Sequence, residues 1–153
     1  MIQVKLHLLA EQLKPIITLL RVLSVILSFL VQGTAFALKD VGKHIITTKI
    51  EHPAVEETAK YLADKFGYEV TFVDVDSTGM VPVEDIEKNI RKDTILVSVM
   101  HSNNEVGTLQ PIAQIGKLIK TKYPHVLFHS DCSQSIGKVK IDVNGTPNAP
   151  IFF

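Results

Sequence analysis

Between Lys43 and Lys138 the chain alternates short apolar runs with segments of helical period, and that alternation limits the folds open to it. The run His44 to Thr48, with Ile45 and Ile46 at its centre, predicts a strand. Glu51-His52-Pro53 opens a helix over Ala54 to Phe66. Pro53 suits a first helical turn, where its missing N–H costs nothing; Val55, Ala59, Leu62 and Phe66 keep helical spacing, and Gly67 ends the segment. Tyr68 to Val75 predicts a second strand, Asp76-Ser-Thr-Gly79 a turn, and Pro82 to Ile90 a second helix. Ile95 to Met100 is a third strand, apolar except for Ser98, followed by the loop from His101 to Gly107. A third helix, Ile112 to Lys120, sets Ile112, Ile115, Leu118 and Ile119 on one face and is broken at Tyr123-Pro124, before a fourth strand from Val126 to Ser130. The connections between strands are too long for hairpins. The order β-α-β-α-β-α-β therefore implies an α/β fold with a partial, largely parallel sheet covered by helices.

In an open α/β sheet, ligands bind outside the carboxyl ends of the strands. Three polar groups fall there: His52 after the first strand, Asn103-Asn104-Glu105 after the third, and Asp131 with Gln134 after the fourth. An Asp in that place supplies a fixed negative charge beside a protonated ring nitrogen, as in pyridoxal 5'-phosphate (PLP) sites. Each residue also has a plainer use. Asp131 would cap the next helix, His52 sits at a helix start, and an Asn-Asn pair suits a turn. Placement on one sheet edge is what favours a binding site. A metal is disfavoured, because His44, His52, His101, His125 and His129 lack a short pairing on one helix. The single cysteine, Cys132, excludes an intrachain disulfide and a multi-cysteine zinc site, fits a reducing compartment, and reads as a small buried hydrophobe. Lys+Arg and Asp+Glu number 16 each, so charge gives no argument for a nucleic-acid partner.

Residues 1–38 follow a different pattern. Met1 to Leu13 is mixed and suits a helix ending before Pro15. Ile16 to Val31 is apolar with Arg21 as its one charge, and the uncharged run Val22 to Leu38 is near the lower limit for a spanning helix, which takes about 20 residues. Lys14, Arg21 and Ala35-Phe36-Ala37 resemble the parts of a signal peptide. Three readings stand side by side: a membrane or export segment through 16–38, a fully buried helix, and a gene-model artefact. Asn144-Gly145-Thr146 forms a glycosylation sequon, relevant only to an exported chain.

Three separated stretches carry a family resemblance: Lys43 to Val55, Asp93 to Ile112 with its His101-Ser-Asn-Asn-Glu-Val-Gly core, and His129-Ser-Asp131-Cys-Ser-Gln134-Ser-Ile-Gly-Lys138. Together they resemble the cysteine desulfurase and selenocysteine lyase family, among the class V aminotransferases of fold-type I PLP enzymes. The resemblance implies that 39–144 is part of the large cofactor domain, with 1–38 a divergent apolar segment and 145–153 a tail. It implies PLP as cofactor. His52 would stack on the pyridine ring and assist proton transfer, Asn104 would reach the phenolic-oxygen side, Asp131 would pair with the pyridine nitrogen, and Gln134 would bond the phenolic oxygen. The implied reaction removes sulfur or selenium from cysteine or selenocysteine and leaves alanine, in a cytoplasmic homodimer acting on a small amino acid. The sequence departs from the family at three places: it has no Ser-x-His-Lys with the Schiff-base lysine, no catalytic cysteine on a later loop, and an apolar segment where a Gly-Ala-Thr-Glu phosphate loop is expected. The resulting expectation is a truncated, alternatively spliced or mispredicted lyase product, inactive alone. The alternatives are a non-catalytic domain that binds a partner or a full-length homologue, and a membrane-attached or secreted protein.

Overall fold

The computed structural model describes residues 26–139 and the backbone of Ile151–Phe152. The expected helix in Met1 to Leu13, the start of the apolar run and the sequon at Asn144 lie outside the described residues. In chain order the elements are α1 (26–37), β1 (His44–Thr48), α2 (Pro53–Phe66), β2 (Glu69–Val73), α3 (Val83–Asn89), β3 (Thr94–Ser98), α4 (Ile112–Lys122), β4 (Leu127–His129) and β5 (Ile151–Phe152). All five strands pair in parallel in the order β2-β1-β3-β4-β5. The two-residue strand β5 was not foreseen from the sequence.

Alternation along the strands divides the core between two faces. On one face Ile46, Val97 and Phe128 pack with Ile86 of α3 and Ile112, Ile115 and Ile119 of α4. On the other, Ile45 and Leu96 pack with Val55 and Leu62 of α2 and with Leu27, Val31 and Ala35 of α1. Helix α1 buries the stripe Leu27, Val31, Ala35, at spacing i, i+4, i+8, and its outer Phe29 is 70% exposed. Over its described residues it docks by one stripe, with its outer side exposed. No helix among the described residues is long and apolar enough to cross a membrane.

Local chemistry sets the element ends. Pro53 occupies the first turn of α2, and Gly67 closes it in the left-handed conformation at φ 68°, which glycine adopts without steric cost. Strand β2 is shorter than the expected Tyr68 to Val75. Tyr68 turns under α1, where its hydroxyl donates to the Ala35 carbonyl at 2.7 Å. At the other end Asp74 swings out to an ion pair with Lys49 at 2.6 Å.

The topology has one consequence for function. From β1 the chain moves outward to β2 over the α2 face, whereas from β3 it moves the other way to β4 over the α4 face. The loops leaving β1 and β3, neighbours in the sheet, therefore part company. Such a switch point opens a crevice outside the strands' carboxyl ends.

Candidate functional site

Backbone hydrogen bonds trace the parting of the two loops. Beyond β1 the chain leans toward β2, with Lys49 N donating to the Val73 carbonyl at 3.1 Å. Beyond β3 it leans toward β4, with Val99 N donating to the His129 carbonyl at 3.0 Å and His101 N to the Asp131 carbonyl at 2.8 Å. Loop residues from β1, β3 and β4 thus stand on one edge of the sheet, and this is the edge that carries His52, Asn104, Asp131 and Gln134.

His52 is half-buried at the N-cap of α2, and its Nδ1 accepts from Ala54 N at 3.1 Å. That bond fixes the ring and fills one of the helix's otherwise unpaired amides. The capping use is therefore realised, and it holds an imidazole at the carboxyl edge of the sheet. After β3, residues 101–110 form a small flap closed by an antiparallel bridge between Ser102 and Leu109. Asn103 does the turn chemistry: its Oδ1 accepts from Glu105 N and Val106 N at 2.9 and 2.8 Å, and its Nδ2 donates to the Ile50 carbonyl at 2.9 Å. Asn104 is exposed on the flap. The flap is anchored by buried Gln110, whose amide accepts from Val81 N at 2.8 Å and donates to the Gly79 carbonyl at 2.7 Å.

Asp131 is buried at the end of β4, and its Oδ1 accepts from Ser133 N at 2.8 Å. Gln134 is exposed, with Oε1 3.4 Å from Lys138 Nζ. Among the described residues, no hydrogen bond joins His52, Asn104, Asp131 and Gln134 directly to one another. They share the carboxyl edge of the sheet. Cys132 is buried and free, and burial pushes its thiol up from the ordinary value, so it is a poor nucleophile.

Several buried polar groups that the sequence did not single out support this edge. His101 pairs through Nδ1 with Ser135 Oγ at 2.8 Å, and burial lowers its pKa. His129 pairs through Nδ1 with Ser98 Oγ at 2.9 Å; burial again lowers its pKa, against the opposing pull of Asp131. Glu51 is the strongest case. Its Oε1 accepts from Thr48 Oγ1 and from Met100 N, both at 2.8 Å, and burial pushes its carboxyl up to about 8, with the Asp131 charge adding to the rise. The Oε2 of Glu51 and the Nε2 of His129 are buried without a hydrogen-bond partner among the described residues. The only sequence signal for Glu51 was a carboxylate directly before His52. No group of three or more His, Cys, Asp or Glu among the described residues is placed to hold a metal ion.

The edge thus offers one buried carboxylate, a fixed imidazole and two exposed amides, a set suited to a flat heteroaromatic ring with a cationic nitrogen and a polar oxygen. Comparison with known proteins gives a consistent answer. The chain is similar to cysteine desulfurase IscS of Clostridium botulinum, with 53% identity over 113 residues, 74% of this chain and 28% of that protein. It therefore spans little more than a quarter of that relative's length. Among solved structures it is similar to a NifS-like protein, with 40% identity and a TM-score of 0.77 over 82% of this chain and 34% of the other. It is also similar to SspA, solved in complex with cysteine, with 34% identity and a TM-score of 0.74 over 81% and 35% of the two chains. The aminotransferase class-V family model matches residues 27–147, and the chain belongs to that family.

Proposed function

We propose that this chain supplies the ring-binding wall of a PLP site of the cysteine desulfurase type. The family is PLP-dependent. The observation that carries the reading is the buried Asp131 carboxylate on the same sheet edge as the fixed His52 imidazole, at the topological switch point between β1 and β3. When bound, PLP supplies an electron sink through its protonated ring. Asp131 holds the proton on the pyridine nitrogen, because a permanent negative charge there favours the cationic form. His52 covers the ring with a flat partner and is placed to carry a proton. Asn104 and Gln134, both exposed, would bond the phenolic oxygen. Ser133 N fixes one carboxylate oxygen of Asp131 and so its direction.

The reaction we assign to the assembled site is removal of sulfur or selenium from cysteine or selenocysteine, leaving alanine. These 153 residues contain no Ser-x-His-Lys and one cysteine, the buried Cys132. We therefore place the cofactor wall in this chain and assign it no turnover by these residues alone. Titration with PLP, followed by absorbance, tests the reading. Saturable uptake is expected, weakened about tenfold or more by Asp131→Asn, the loss of roughly one charge-assisted hydrogen bond. Borohydride treatment should leave no lysine adduct in the mass spectrum. Unsaturable uptake, or an Asp131→Asn chain that binds as the parent does, refutes the reading.

A further inference from the structure

Where β1 and β3 part, a donor is stranded. Amides on a parallel strand point alternately to its two neighbours. Val99 N and His101 N find β4-side carbonyls, whereas Met100 N faces the gap left by the β1 chain, which has turned toward β2. The acceptor it finds is Glu51 Oε1 at 2.8 Å, a side chain rather than a backbone group. Thr48 Oγ1, at the last residue of β1, donates to the same oxygen at 2.8 Å, and Asn103 Nδ2 crosses the gap in the other direction to the Ile50 carbonyl at 2.9 Å.

We propose that Glu51 is a positioning residue of the candidate site: its carboxyl fastens the loop after β1, which carries His52, to the end of β3, and so fixes the imidazole on the edge where Asp131 stands. The inference deepens the PLP reading and rests on it for the identity of the site, but the fastening is a property of this chain alone. A buried carboxylate facing a second carboxylate costs free energy, and the arrangement avoids that cost by keeping the proton on Glu51. Burial is the larger cause of the raised value near 8 and the Asp131 charge a further one; Met100 N and Thr48 Oγ1 pull the other way. Lys49, His52, His101, Glu105 and Cys132 are further titratable groups on the neighbouring loops, and His129 ends β4. Burial lowers the pKa of His101 and of His129.

The test uses the full chain labelled with 15N, as parent, Glu51→Gln and Glu51→Ala. Gln keeps an oxygen able to accept both bonds; Ala removes it. In the parent the Met100 amide resonance should titrate with a midpoint near 8, and that step should vanish in Glu51→Gln. In Glu51→Ala the Met100 amide should exchange with solvent about tenfold faster, the His52 ring resonances should move, and PLP uptake should weaken about tenfold, each recovered to within about threefold by Glu51→Gln. Unchanged Met100 exchange and His52 resonances in Glu51→Ala overturn the proposal. Should Glu51→Ala not fold, an identical Met100 titration in parent and Glu51→Gln overturns it. A parent chain that takes up no PLP refutes the cofactor reading instead, and the Met100 and His52 signals then decide the fastening by themselves.

Discussion

Replacing Glu51 with Gln should change how stability depends on pH, and the size of that change follows from burial. The Glu51 carboxyl is raised in the folded chain from its ordinary 4.5 to about 8. Between those values the folded chain holds a proton that the unfolded chain has released. The native state binds more protons, so stability falls as pH rises. The contribution is complete below 4.5 and is lost as pH climbs through about 8. Each pH unit in that window is worth about 1.4 kcal/mol, so the whole interval is worth at most roughly 5 kcal/mol. Relaxation and water entry around a newly charged carboxylate reduce that ceiling to about 2–5 kcal/mol. Buried His44, His101 and His129 act in the opposite sense, since their lowered values favour the folded chain as pH rises toward 6.5. Comparison with Glu51→Gln cancels the histidines. The chain contains no tryptophan, so urea unfolding is best followed by circular dichroism, from pH 5 to 8.5. The Gln chain should gain on the parent by about 1 kcal/mol per pH unit or slightly more up to pH 8. Parallel curves for the two chains would refute the buried, proton-bearing Glu51.

Two further substitutions probe how the sheet is set under its helices. A side chain at Gly42, just before β1, would place its Cβ 2.2 Å from the Asp93 carbonyl oxygen, a backbone atom; Gly42→Ala should therefore destabilise the chain by at least the 1–3 kcal/mol typical of overpacking, roughly, as read by urea unfolding. Tyr68→Phe removes the 2.7 Å bond to the Ala35 carbonyl beneath α1; a loss of about 1–3 kcal/mol is expected, with faster amide exchange in α1 than in β3, and an unchanged α1 would count against that helix being tied down through Tyr68.

Much of the fold was legible because backbone constraints coincide with apolar period. Pro53 and Gly67 bracket α2, and β1 matches its expected span from His44 to Thr48. Helix α1 was harder to read, because Ile26, Phe29 and Phe36 on its outer side are as apolar as the buried Leu27 and Val31, so no polar face marks its period. The site divides in the same way. That His52, the Asn pair and Asp131 lie beyond neighbouring strand ends follows from strand order, and the sequence already places polar residues there. Glu51 was not legible as a support, since one of its partners, Met100 N, lies 49 residues away and lacks a backbone acceptor only because the β1 and β3 loops diverge. The pairs Ser98–His129 and His101–Ser135 likewise exist only once the strands and loops have been brought side by side.

The central claim is that the Asp131 carboxylate faces the ring nitrogen of a bound cofactor. It is tested most directly by nitrogen NMR of PLP labelled with 15N in its pyridine ring, bound to the parent chain and to Asp131→Asn. The account predicts a pyridinium-type signal in the parent near neutral pH and a neutral pyridine signal in Asp131→Asn. A neutral ring in the parent, or the same protonated ring in both chains, would contradict it.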